Sequence, residues 1–153
     1  MRKDASLSVD RKYRYLLSRV WDETKPMVMI IGLNPSTADE KEDDPTIRRC
    51  INYAKSWDYG GIYMLNLFAF RATQPSDMFK ASEPIGEEND IYIKTYSKKV
   101  DKVICAWGNH GKYQNRSNQI KNSVDNLYYL KLNQTEEPAH PLYLKSELTP
   151  QKF

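Results

Sequence analysis

A chain of 153 residues is the size of one domain around one core, so it folds without disulfide or metal staples. With 40% hydrophobic and 28% charged residues, its composition is not that of a disordered chain, and no apolar run approaches the roughly 20 residues a membrane helix requires. The net charge of +3 permits a nucleic-acid partner without arguing for one.

The first residues, MRKDASLSVDRKYRY, lack the apolar stretch of a secretory leader, so the expected location is the cytoplasm. Cys50 and Cys105 lie in apolar segments and read as reduced core residues. With only two histidines beside them, they cannot supply a Cys-rich zinc set or the four thiolates of an iron–sulfur cluster. The expectation is a protein with no cofactor, no metal or iron–sulfur cluster and no membrane association.

In chain order, Lys12–Trp21 places Tyr13, Tyr15, Leu17, Arg19 and Trp21 on one face at period two, which predicts an N-terminal edge strand. Asp22–Pro26 turns the chain. Met27–Leu33 is a short apolar run, as expected of a strand buried on both faces. It stops at Asn34-Pro35-Ser36-Thr37. Asp44 is then a good helix N-cap and Pro45 suits the first helical position. Ile47, Ile51 and Ala54 continue at helical spacing, and Gly60-Gly61 is expected to end that helix.

Ile62–Leu67 predicts a second buried strand. Helices are expected over Pro75–Ala81, Glu87–Val100 and Gln114–Val124, and further strands over Lys102–Trp107 and Leu127–Leu132. Strands alternating with helices imply a parallel sheet with right-handed crossovers. The predicted fold is a three-layer α/β/α sandwich with a short central, mainly four-stranded parallel sheet plus an N-terminal edge strand. It forms one domain over residues 1–153.

Open sheets of this kind bind ligands beyond the carboxyl ends of their strands. The residues expected there are Asn34 after the first parallel strand, Asn66 near the end of the second, Asn109 and His110 after the third, and Asn133 and His140 after the fourth. Amides and both histidines thus gather at one edge by topology. A buried amide such as Asn66 must find partners or cost a few kcal/mol, so it is satisfied locally or aimed at a ligand.

These residues also carry a resemblance. Gly32-Leu33-Asn34-Pro35-Ser36 resembles the Gly-x-Asp/Asn-Pro motif of uracil-DNA glycosylases, and Tyr63-Met64-Leu65-Asn66 their Leu-Leu-Leu-Asn strand. Ile104–His110 is similar to their Leu-Leu-Trp-Gly-x-His strand end, and His140-Pro141-Leu142 to their His-Pro-Ser-Pro motif. More closely, Leu33–Asp39, Asp44–Cys50, Asn66–Arg71 and His140–Leu144 look like a bacterial and phage family known as domain of unknown function 1643.

The glycosylase resemblance implies an extruded base held in a pocket while its bond to the sugar is cut. Asn34 would hold the attacking water, and His140 would donate a hydrogen bond to the leaving base. Asn66 would read the base edge with one donor and one acceptor. Asn34 stands where the uracil-specific branch has a carboxylate, as it does in the mismatch-specific branch, which predicts a slower enzyme. Ser36 replaces a tyrosine that excludes 5-substituents. Phe68 or Phe70 would stack on the base, and Tyr143 or Leu144 would wedge into the duplex. Thr37, Arg71, Asn109, His110 and Lys145 would meet the DNA backbone or a phosphate, as would Lys112, Arg116 and Lys121; whether Arg48 and Arg49 face the crevice is left to the fold.

Two rival readings stand beside hydrolysis of an N-glycosidic bond in DNA. One is a non-catalytic module that binds a modified base or nucleotide in the same pocket. The other is a nucleotide-binding protein whose Asn34–Thr37 turn cradles phosphate, which the lack of a Gly-rich fingerprint counts against. DNA or a nucleotide is the expected partner.

Overall fold

The apolar run Met27–Gly32 explains the sheet, because both of its faces are covered. In the computed structural model, which describes residues 1–153, this run is strand β3. Val28 and Ile30 pack on one side with Ile47, Cys50, Ile51 and Ala54, while Met29 and Ile31 pack on the other with Met78, Ile93, Ile120 and Val124. Alternate residues of one strand therefore enter two separate cores, each of 15 buried residues. Full burial of each such side chain contributes about 1.5–3 kcal/mol.

The other strands are β1 (Arg2–Leu7), β2 (Arg14–Val20), β4 (Gly61–Asn66), β5 (Val103–Cys105), β6 (Leu127–Tyr129) and β7 (Gln151–Lys152). Four α-helices, α1 (Pro45–Ser56), α2 (Pro75–Lys80), α3 (Asn89–Ser97) and α4 (Arg116–Ser123), carry the covering residues. All seven strands form one sheet in the order β1-β2-β4-β3-β5-β6-β7. The pairs β4–β3, β3–β5 and β5–β6 are parallel; β1–β2, β2–β4 and β6–β7 are antiparallel.

The chain is thus α/β, but the sheet is mixed and seven-stranded, not a four-stranded parallel sheet with one added edge strand. The segment predicted to be the edge, residues 12–21, supplies β2, which is internal and pairs Leu17 with Met64 of β4. The true edge is β1. Its polar sequence RKDASL carries no apolar alternation; its first three residues are exposed, and backbone pairing with β2 sets its place. At the other edge, β7 is two exposed residues and equally silent.

Helix α1 starts as expected. The Asp44 carboxylate accepts from the Ile47 N–H at 2.9 Å, and Pro45 takes the first turn. It ends earlier than Gly60-Gly61, because Asp58 adopts φ +66 and Gly61 already belongs to β4. Residues 109–115 form a 3-10 segment before α4, with Gln114 and Asn115 at positive φ.

Arg19 locks the loop ahead of α1. Its side chain is fully buried, its Nε donates to Asp43 Oδ1 at 2.7 Å, and its Nη atoms donate to the carbonyls of Asp4, Ser18, Asp39 and Glu42. One guanidinium therefore joins β1, β2 and residues 39–43.

Candidate functional site

The parallel strands β3, β4 and β5 deliver their carboxyl ends to one edge. Backbone bonds continue past them: Leu67 N–H to Gly32 O, Phe68 N–H to Leu33 O, and Ala106 N–H to Ile31 O. The segment before His140 joins the same edge, with the Gly108 N–H donating to Pro138 O at 2.8 Å. A cavity of about 360 Å³ opens there, within the range of small-molecule sites. Asn34, Ser36, Asn66, Asn109, His110 and His140 all line it.

Each key side chain has a fixed orientation. The Asn34 Nδ2 donates to Ala72 O at 2.8 Å and Pro35 O at 3.1 Å, which leaves Oδ1 as a free acceptor. Asn66 is 2% exposed and its Oδ1 accepts from Arg14 Nη2 at 3.3 Å. Its main-chain carbonyl accepts from Asn89 Nδ2 at 2.9 Å. Asn66 therefore turns its nitrogen, a donor, away from Arg14, and spends one lone pair of its oxygen on the guanidinium. Gly32 makes room for that amide: a Cβ there would lie 2.9 Å from Asn66 Nδ2.

His140 accepts at Nδ1 from the Leu142 N–H at 3.3 Å, so a neutral ring carries its proton on Nε2. The ring stands exposed at the cavity mouth, yet the protein packed around it pulls the imidazole pKa below its ordinary value. Asp44 acts in the opposite sense and more weakly. Gly108 holds φ +76 with ψ −172, a conformation open to glycine alone, and this turns the chain out of β5 into Asn109. The Asn109 Oδ1 is occupied by Asn133 Nδ2 at 2.9 Å and Thr135 Oγ1 at 2.6 Å, tying two rim loops together. His110 is exposed and meets Phe79 edge-on at 5.2 Å.

Other expected residues lie elsewhere. Phe68 is fully buried in the core against Tyr113, and Phe70 packs edge-on against Tyr13; neither lines the cavity. Thr37 and Arg71 border a shallow neighbouring groove that also includes Arg11 and Lys12. Lys145 is exposed outside the cavity, and its carbonyl accepts from the Tyr53 hydroxyl. Arg116 is 1% exposed, spends two nitrogens on the Leu67 carbonyl and pairs with Asp90 at 2.7 Å, so it is not free to meet a phosphate. Arg49 caps the Leu144 carbonyl and lies over the Tyr53 ring.

Arg14 lines the cavity and was not anticipated there, and Asp44, expected only as a helix cap, and Trp107, expected only at a strand end, line it as well. Arg14 falls out of phase with the apolar face of residues 13–21 and so reads as solvent-facing, but β2 is covered on both sides. Burial pushes its pKa down to about 10 while Asp44 pulls it back up, so it stays charged at neutral pH. Burial pushes the Cys50 thiol up to about 12 and raises Cys105 as well, which leaves no thiolate nucleophile. No group of three or more His, Cys, Asp or Glu side chains is arranged to hold a metal, and no helix is long and apolar enough to cross a membrane.

A larger groove of about 910 Å³ runs along Tyr13, Tyr15 and Glu83 to Glu88. It is walled by acids and carries neither amide nor histidine.

A family model described as "Protein of unknown function (DUF1643)" matches residues 14–142. No curated protein and no solved structure is found to match the chain.

Proposed function

The chain belongs to the DUF1643 family of proteins of unknown function, and we propose that it hydrolyses the N-glycosidic bond of uracil or of a mismatched or modified pyrimidine in DNA. The reading carries with it a glycosylase-like, three-layer arrangement of sheet and helices and a DNA partner. What supports it is one observation: Asn34, Asn66 and His140, far apart in sequence, line a single cavity of base-binding size.

In this mechanism the target base leaves the stack and enters the cavity. Asn34 Oδ1, with both N–H groups committed to backbone carbonyls, accepts from the attacking water and orients it. The C1′–N bond breaks and its electron pair leaves with the base. The His140 Nε2–H donates to the base oxygen on which that charge develops. Water adds to the sugar cation, and its surplus proton passes to solvent or to the departed base. An amide does not titrate, so Asn34 does not remove the water's proton before bond cleavage, and a slow enzyme is expected.

Tyr143 suits the wedge. It is 98% exposed, holds φ +72, and follows Leu142, which lines the cavity. A second reading, a non-catalytic module that holds a modified base or nucleotide, is favoured by one fact: neither Phe68 nor Phe70 reaches the cavity to stack on a base.

The test is incubation with oligonucleotides carrying uracil, mismatched thymine or a 5-substituted pyrimidine, followed by cleavage at abasic sites. Hydrolysis predicts product from the wild type and none from Asn34→Ala or His140→Ala. Saturable binding without product supports the non-catalytic module.

A further inference from the structure

We infer that Arg14 makes the floor of this cavity an anion site, so that the ligand enters with a negatively charged oxygen group, a carboxylate or a phosphate, directed at its guanidinium. The inference rests on the reading of the cavity as a pyrimidine pocket and names the class of pyrimidine it takes.

Three observations carry it. First, Arg14 is 2% exposed and lines the cavity, yet it has no ion-pair partner; its neighbour on the same strand, Arg19, pairs with Asp43 at 2.7 Å. A buried cation without an anion is costly, and folding alone gives no reason to keep it. Second, its hydrogen bonds are incomplete. Nη1 donates to Ala38 O at 3.0 Å and Nη2 only distantly to Asn66 Oδ1 at 3.3 Å, while the buried Nε has no partner. Buried donors are normally satisfied, and although the Arg49 Nε is also open, Arg14 combines an incomplete set with a place on the cavity wall.

Third, two of the groups that line the cavity with it, Asn66 and His140, agree with it in sign. Asn66 gives its oxygen to Arg14 and keeps its amide nitrogen for the ligand. His140 accepts at Nδ1 from the backbone and so also offers a donor. The nearest acid on the wall, Asp44, is already engaged: its oxygens accept from the Ile47 N–H at 2.9 Å and the Ala38 N–H at 3.4 Å at the positive end of α1. A set of donors around a fixed positive charge suits an acceptor-only, anionic group and leaves ligand donors unpaired.

The choice of source is open to a direct experiment, with the charge either on the ring or on the sugar. Binding is measured by calorimetry and by quenching of tryptophan fluorescence, since Trp107 lines the cavity. The probes are uracil and uracil-6-carboxylate, deoxyuridine and its 5′-monophosphate, and inorganic phosphate. The expected result is that one charged pyrimidine binds at least about tenfold tighter than its neutral counterpart, and that the gap closes in Arg14→Gln and persists in part in Arg14→Lys. Preference for the ring carboxylate assigns the anion to the base, and preference for the monophosphate assigns it to the sugar. Equal binding of charged and neutral probes by the wild type overturns the inference while leaving the pyrimidine pocket in place. Inorganic phosphate binding that needs Arg14, with no pyrimidine bound at all, keeps the anion site and removes the pyrimidine reading. The wild-type comparison stands even if Arg14→Gln fails to fold.

Discussion

Arg14 and Arg19 occupy the same strand, and the protein treats them in opposite ways. Arg19 spends its guanidinium on one carboxylate and four backbone carbonyls, and it does not line the cavity at the strand ends. Arg14 is as deeply buried but keeps a nitrogen unpartnered and borders the space into which Asn34, Asn66 and His140 also face. Burial alone does not distinguish a structural arginine from a functional one. The two differ in completeness of the hydrogen-bond set and in place: the Arg14 set is incomplete, as is that of Arg49 outside the cavity, and only Arg14 of the three lines the cavity.

That contrast breaks most sharply at Arg19. Arg19→Met leaves several carbonyls and Asp43 without their cation, so a loss of about 3–5 kcal/mol is expected in urea unfolding, with no special effect on ligand binding beyond that of unfolding. The site residues should show the reverse. Asn34→Ala and His140→Ala are expected to reduce base release about 10²–10³-fold in single-turnover assays while melting close to the wild type. If either variant melts like Arg19→Met, the distinction between the two regions fails.

Smaller effects sharpen the comparison. Arg14→Gln is expected to change stability in chemical denaturation by about 1 kcal/mol or less, because removal of an unpaired buried charge offsets the lost bonds to Ala38 O and Asn66 Oδ1. Asp44→Ala removes the α1 cap and is expected to cost about 1 kcal/mol in the same measurement.

The smallest effect is in pH. The His140 pKa lies below the usual value of about 6.5, and only the neutral ring accepts from Leu142 while donating from Nε2. Base release should therefore stay level from neutrality down past that value and fall only at lower pH. The sign for stability follows. An unfolded His140 takes up its proton before the folded one does, so its small contribution is present above the ordinary value and is lost as pH falls toward the lowered one. A pH–rate profile that drops near the ordinary value contradicts the lowered His140 pKa.

Much of this was legible in the sequence where burial is two-sided. The runs Met27–Leu33 and Ile62–Leu67 are apolar on both faces, so they could be assigned as buried strands of one parallel sheet, and the amides and histidines at the strand ends followed by topology. The N-cap at Asp44 was equally plain, because its chemistry is local. The edge strands were not legible: β7 and the first half of β1 expose their side chains, and backbone pairing leaves no pattern in residue type. Arg14 was missed for a related reason. Period-two reading assumes one wet face, and β2 has none. The orientation of Asn66 was also beyond the sequence, since it depends on a guanidinium from a strand that lies 52 residues away along the chain.

The most direct test follows the side-chain amides by ¹⁵N–¹H NMR while a uracil-containing oligonucleotide is added. The account predicts shifts at the Asn34 and Asn66 amides and the His140 ring, with Asn89, whose amide is held by the Asn66 and Leu67 carbonyls, responding less. Shifts confined to the acidic groove of Tyr13, Tyr15 and Glu83 to Glu88, with Asn34, Asn66 and His140 silent, would contradict it.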